Sequence, residues 1–326
     1  MPILDPLPLL WAAIIGFCIV MYVVLDGFTL GIGVLMPWIN QDERNIAHSV
    51  LLPTWDGNQT WLVMGGASLY GAFPAAFAAI LPLFYIPIII MIVSLLLRGV
   101  VFEFRLKAQD TKKWDTLFSI ASFLIIVCQG YILSRFVLGV NPPHQHFTFS
   151  YMVTCIIGVL LGYALLGSTR LIFKTLGELR DKMYFYSKVL SWSVVLVLAG
   201  VSLLTPMINT FVNHRWFAKG NWVYLVILPY LSGLSFIGLQ VSFYKKIDRM
   251  PFYLTIAMFV CGYIGLMISV FPYIIPYEKT IWQCAAPDGT LKFMLFAAVI
   301  MIPILLIYTG YAYHIFKDKV KDVIHY

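Results

Sequence analysis

WDGNQTWLVMGGASLYGAFPAAFAAI, residues 55–80, is the stretch that decides how this chain is read. An acid, two amides and two indoles crowd its first eight positions, and an apolar run without another charge follows. An ionisable group at the mouth of a membrane helix costs free energy unless it is paired or wetted, which makes Asp56 a functional candidate. Pro53 and Thr54 stand just before it, a pattern that predicts a helix start with Thr54 as the cap and Asp56 in the first turn. There the positive end of the helix dipole stabilises a carboxylate. A plain capping acid at the water boundary suits the same place, and the motif by itself leaves both roles open.

Working outward, the chain of 326 residues is 61% hydrophobic and 11% charged, with mean hydropathy +0.87. Soluble domains carry roughly 25% charged residues, so the composition predicts an all-α integral membrane protein. At about 20 apolar residues per crossing, nine runs qualify, near 9–36, 57–80, 82–101, 116–138, 151–173, 189–211, 222–243, 253–275 and 291–315. The connections are too short for a soluble head, which predicts one polytopic domain over residues 1–326. The first run has no basic residue before it and no small-residue cleavage site, and reads as an uncleaved span. Of the 22 Lys and Arg, 17 lie in or beside the connections after spans 1, 3, 5 and 7 and the tail. The positive-inside rule then puts the N-terminus in the periplasm and the C-terminus in the cytoplasm. The net charge of +7 is thereby an orientation signal, and nucleic-acid binding is not needed to explain it.

Three further patterns bear on chemistry. Gly27 and Gly31, and again Gly158 and Gly162, form small-xxx-small pairs that let another helix approach closely, within the chain or from a partner. In SLLLRGVVFEFR, residues 94–105, Arg98 and Arg105 stand two turns apart on about one face. Snorkelling toward lipid head groups accounts for Arg105 and Lys107, whereas Arg98 sits deeper. None of the six histidines falls near the middle of a span, and membrane haem iron takes an axial His, Met or Cys. The chain is therefore expected to hold no haem, its methionines reading as core filler. His144 and His146 form an HxH pair, but two histidines do not close a metal site, so no metal is expected. The five cysteines lack CxxC spacing, and four of them read as packing residues inside spans. P-loop, dinucleotide and nucleophile-elbow motifs are absent, and no catalytic residue is assigned.

Read together, DGF at 26–28, WDGNQTWL at 55–62, SLLLRGVVFEFR at 94–105, GEL at 177–179, FPYIIP at 271–276 and PILLIYTGYAY at 303–313 resemble subunit II of the bd-type quinol oxidases. The resemblance covers nearly the whole chain in the right order. It implies about nine helices in two four-helix bundles plus one peripheral helix, in the bacterial inner membrane. It also implies an oxygen-reducing quinol oxidase in which a partner, subunit I, holds the b and d haems and most of the quinol site, with this subunit inactive alone. By the family pattern, Asp56 belongs to a proton path from the cytoplasm, with Asp26 of DGF in the same polar region. Arg98, Glu103 and Arg105 are implied near a lipid or quinone head group, or in a structural ion network. A small single-span accessory subunit and a structural quinone are left open. The family often reads DGFD where this chain has Thr29, which weakens the Asp26 role more than that of Asp56. The alternative from another class is a proton-coupled secondary transporter, for which intramembrane acids and arginines are also expected.

Overall fold

The computed structural model describes residues 5–139 and 145–320. The helices are α1 (Pro6–Leu25), α2 (Gly27–Leu35), α3 (Gln41–Leu51), α4 (Trp55–Ala72), α5 (Pro74–Leu83), α6 (Tyr85–Arg105), α7 (Lys112–Leu138) and α8 (Gln145–Lys174). They continue with α9 (Gly177–Ile208), α10 (Thr210–Phe217), α11 (Trp222–Leu225), α12 (Ile227–Tyr244), α13 (Met250–Val270), α14 (Ile281–Cys284) and α15 (Asp288–Ile315). One departure from the all-helical expectation is a small antiparallel hairpin, β1 (Tyr273–Ile275) with β2 (Lys279–Thr280).

Among the described residues, eight helices are long and apolar enough to cross a membrane. The expected span at 57–80 is not one of them. It is two consecutive helices, because Pro74 brings no N–H to the turn before it and starts a new helix after Phe73. The polar WDGNQT start also dilutes the apolar character of α4. The first span, Pro6–Trp38, contains its own break at Asp26, between α1 and α2. The span expected at 189–211 begins earlier, at Gly177. Its charged start ELRDK continues the helix beyond the apolar part, the only part that hydropathy sees.

The core runs along α2, α7 and α8. Because lipid is as apolar as leucine, membrane helices associate through close packing rather than the hydrophobic effect. Gly31 illustrates this: a Cβ there would stand 1.7 Å from the Tyr163 carbonyl oxygen, and one on Gly167 would stand 2.5 Å from Ile32 N. Gly27 meets the Tyr163 ring, while Gly158 and Gly162 face Val197 and Phe259. Both glycine pairs thus seat helices of this chain against each other. At the opposite end from α3, the segment 271–287 closes over α1, α4 and α5. Trp282 Nε1 donates to Asp5 O at 3.0 Å, Trp11 Nε1 to Leu291 O at 3.1 Å, and Ala286 N to Ala72 O at 2.9 Å. Cys284, the one cysteine outside the expected spans, is buried in this cap.

Candidate functional site

Asp26 and Arg98 meet. The break between α1 and α2 turns Asp26 inward, and α6 brings Arg98 to it from 72 residues away, Nη1 donating to Oδ2 at 2.9 Å and Nη2 to Oδ1 at 2.8 Å. Both side chains are fully buried. A bidentate fork of this kind is the strongest form of carboxylate recognition, and it commits both carboxylate oxygens. Arg98 Nε is left without a hydrogen-bond partner, and its guanidinium carbon lies 5.9 Å from the Phe118 ring centroid. Beside the pair, Gln129 donates to Tyr22 Oη at 2.9 Å and accepts from Tyr163 Oη at 2.6 Å. Thr29 Oγ1, in the place of the family's second acid, is buried and finds no partner.

Arg105 is buried as well, so its guanidinium does not snorkel outward. Its Nε donates to Asp115 Oδ1 at 2.6 Å and its Nη2 to Asn45 Oδ1 at 2.8 Å. Asp115 further accepts from Gln41 at 3.0 Å and faces His48 Nε2 at 3.1 Å, with Arg44 at 4.0 Å. Burial pushes the His48 pKa down, and the Arg105 charge adds to this. The hydrogen bond and charge of Asp115 oppose them without prevailing. Glu103 is exposed on α6 and belongs to neither ion network. Asp115 and His48 were not anticipated from the sequence. The signal available was Arg105 at the end of one helix followed by an acid in the first turn of the next.

Asp56 differs from the other acids. It stands in the first turn of α4, as expected, but is exposed and makes no hydrogen bond or ion pair with any described residue. Thr54 occupies the N-cap position without a side-chain capping bond. The neighbours of Asp56 are turned inward. Trp55 stacks on Phe102 with ring centroids 4.8 Å apart. Asn58 is buried, donating to Leu25 O at the break in span 1 at 2.8 Å and accepting from Tyr313 Oη at 3.0 Å. Residues 56, 60, 63, 66, 67 and 70 are all exposed, and their spacing makes one open stripe along α4. Asp56 heads that stripe.

No group of three His, Cys, Asp or Glu is placed to hold a metal among the described residues. Of the His144–His146 pair, His144 lies outside them. Of the histidines described, His48 is engaged by Asp115, while His214 and His314 are exposed in the last turns of α10 and α15. These positions do not fit axial ligation of a buried haem.

A family model described as cytochrome bd terminal oxidase subunit II matches residues 7–316. Similar proteins include cytochrome bd-I ubiquinol oxidase subunit 2 of Escherichia coli K12, 26% identical, with 95% of this chain and 94% of the relative covered. Cytochrome bd ubiquinol oxidase subunit 2 of Bacillus subtilis 168 is 27% identical, with 96% of each covered. Among solved structures, a chain of the bd oxidase from Geobacillus thermodenitrificans matches with a TM-score of 0.77 at 15% identity, over 96% of this chain and 99% of that one. At that identity the likeness is one of fold.

Proposed function

The chain belongs to the cytochrome bd terminal oxidase subunit II family and is a multi-pass protein of the bacterial inner membrane, and on that premise we propose that it pairs with subunit I, leaves haem ligation to that partner, and admits protons through Asp56. The family brings haem and quinol chemistry to the complex. In this reading both the haems and most of the quinol site belong to subunit I, and this chain is inactive alone. Its helices form two four-helix bundles with one peripheral helix, α4 and α5 together completing a ninth crossing. The N-terminus lies in the periplasm and the C-terminus in the cytoplasm. The transporter alternative finds no support in the family match.

The observation that carries the proposal is the contrast between the two candidate acids. Asp26 has both oxygens committed to Arg98, whereas Asp56 is exposed and unpaired at the head of the open stripe on α4. A carboxylate passes a proton on only if it can be reached from two sides. Asp56 meets that condition at the boundary with a partner, taking a proton at a carboxylate oxygen from inner water and releasing it along the interface. Asp26 serves instead to neutralise Arg98, and Arg105 to hold α3 on α7. Glu103, exposed near the inner end of α6, is the member of its group left to face lipid head groups.

The test is Asp56→Asn, which keeps the shape but cannot exchange a proton. Assembly and haem content of the complex should stay near wild type. Quinol-driven oxygen consumption per mole of haem d should fall roughly 10- to 100-fold, corresponding to about 1.4–2.8 kcal/mol in the limiting barrier. Wild-type turnover in a fully assembled variant would remove Asp56 from the proton path. Poor assembly with normal turnover per haem would make it a capping acid.

A further inference from the structure

Arg170 stands apart from every other buried charge in the described chain. It is 4% exposed, lies one turn before the end of α8, and makes no hydrogen bond or ion pair with any described residue. Its Nε is buried without a partner. Its guanidinium carbon is held 4.9–5.5 Å from the ring centroids of Phe28, Phe252, Tyr313 and Phe173. Aromatic faces position a cation and lessen its desolvation, but they supply no counter-charge.

The same side chain lines a cavity of about 150 Å³ between α8, the start of α4, the end of α15 and the tail. Thr54 also lines it, with its Oγ1 buried and unpartnered. Lys174, at i+4 from Arg170 and thus on the same face of α8, shares the wall with Lys319 and Asp318. Lys174 Nζ donates to the backbone carbonyls of Phe316 and, at 2.6 Å, Asp318. Lys319 is taken by Asp248 and by Thr175 O at 3.0 Å. Among the described lining residues the only acid is Asp318. Asp248, behind Lys319, also pairs with Arg180 at 3.6 Å, and Arg180 with Asp181 at 3.1 Å, so among the described residues four cations meet three acids and one positive charge is left over.

The geometry points to a binding site for a phosphate oxyanion in this cavity, held by Arg170, Lys174 and the Thr54 hydroxyl. A phosphodiester carries the single negative charge that is missing and has acceptor oxygens for a guanidinium fork. The volume amounts to about five water-sized shares of roughly 30 Å³, enough for one phosphate group. Because α8 is a membrane-crossing helix ending at Lys174, the site stands at head-group level. A phospholipid and free phosphate are both sources of this chemistry.

The experiment uses the intact oxidase complex, stripped of lipid in a phosphate-free maltoside detergent. Its melting temperature is followed on adding phosphatidylglycerol, diacylglycerol with the same tails, or inorganic phosphate at constant ionic strength. Phosphatidylglycerol should stabilise the wild type where diacylglycerol does not. Arg170→Met should raise the half-saturating concentration about tenfold or more, the usual scale for losing a hydrogen bond to a charged group. Thr54→Val, which keeps the side-chain volume and removes no capping bond, should raise it by a smaller factor and decides the matter should Arg170→Met fail to assemble. Stabilisation by inorganic phosphate with the same dependence on the variants assigns the site to the free anion. No response to either phosphate source, or an unchanged half-saturation in Thr54→Val and in any assembled Arg170→Met, overturns the proposal.

Discussion

At the scale of single residues, the acids of this chain differ in what faces them rather than in kind. Asp26 is needed by Arg98, and removing one partner of a buried ion pair leaves an uncompensated charge that costs about 3–5 kcal/mol. Asp26→Asn is therefore expected to reduce assembled complex and melting temperature strongly while leaving turnover per haem in the surviving enzyme near normal. Replacing both partners with Asp26→Leu and Arg98→Met should recover much of the stability, as apolar pairs of similar volume commonly do. Loss of turnover with intact assembly in Asp26→Asn would return this acid to the proton path. His48 gives a pH dependence of defined sign. Its folded pKa is lowered, so the opened cluster binds more protons than the closed one once the pH falls below the ordinary histidine value of about 6.5. Stability is whole above that value and declines as the pH drops below it. A melting temperature measured from pH 8 to 5 should fall at the acid end in wild type and fall less steeply in His48→Gln. Equal slopes would show that His48 does not report the cluster.

At the scale of elements, the close contact of α2 with α8 is where the helices have least room. A methyl at Gly31 would overlap the Tyr163 backbone carbonyl, and a backbone atom cannot rotate away as a side-chain tip can. Gly31→Ala is expected to cost about 1–3 kcal/mol or more through forced helix displacement, seen as a lower melting temperature of the purified complex. Gly66→Ala, on the open stripe with nothing within 4 Å of the added atom, should leave the stability of this chain unchanged. An unperturbed Gly31→Ala would mean that α2 and α8 lie farther apart. The GxxxG spacing was legible as a packing device, but the sequence did not say which helix it meets. The broken span formed by α4 and α5 was legible only in part: Pro74 marks the break, while the inward turn of Asn58 to Leu25 O depends on a second break, at Asp26, far away in the chain.

For the whole molecule, orientation is the property most directly testable. The bias of Lys and Arg predicts a C-terminus in the cytoplasm, so a C-terminal fluorescent protein should light up and a C-terminal alkaline phosphatase should be silent. An active phosphatase there would reverse the topology and, with it, the inner-water side assigned to Asp56. The sequence by itself determined that the chain is a membrane protein, where most of its long apolar stretches run and which end carries the positive charge. These are sums over many residues, in which one misplaced side chain changes little. It also determined the candidate residues, since charges are rare enough in such a chain to stand out. Only the tertiary structure decided which of them are available. Whether a carboxylate is free or neutralised depends on one guanidinium that local spacing cannot locate, 72 residues away for Asp26 and 10 for Asp115. Arg170 is the converse case, a cation with no acid in helical reach whose isolation becomes visible only once α2, α13, α15 and the tail have closed around it.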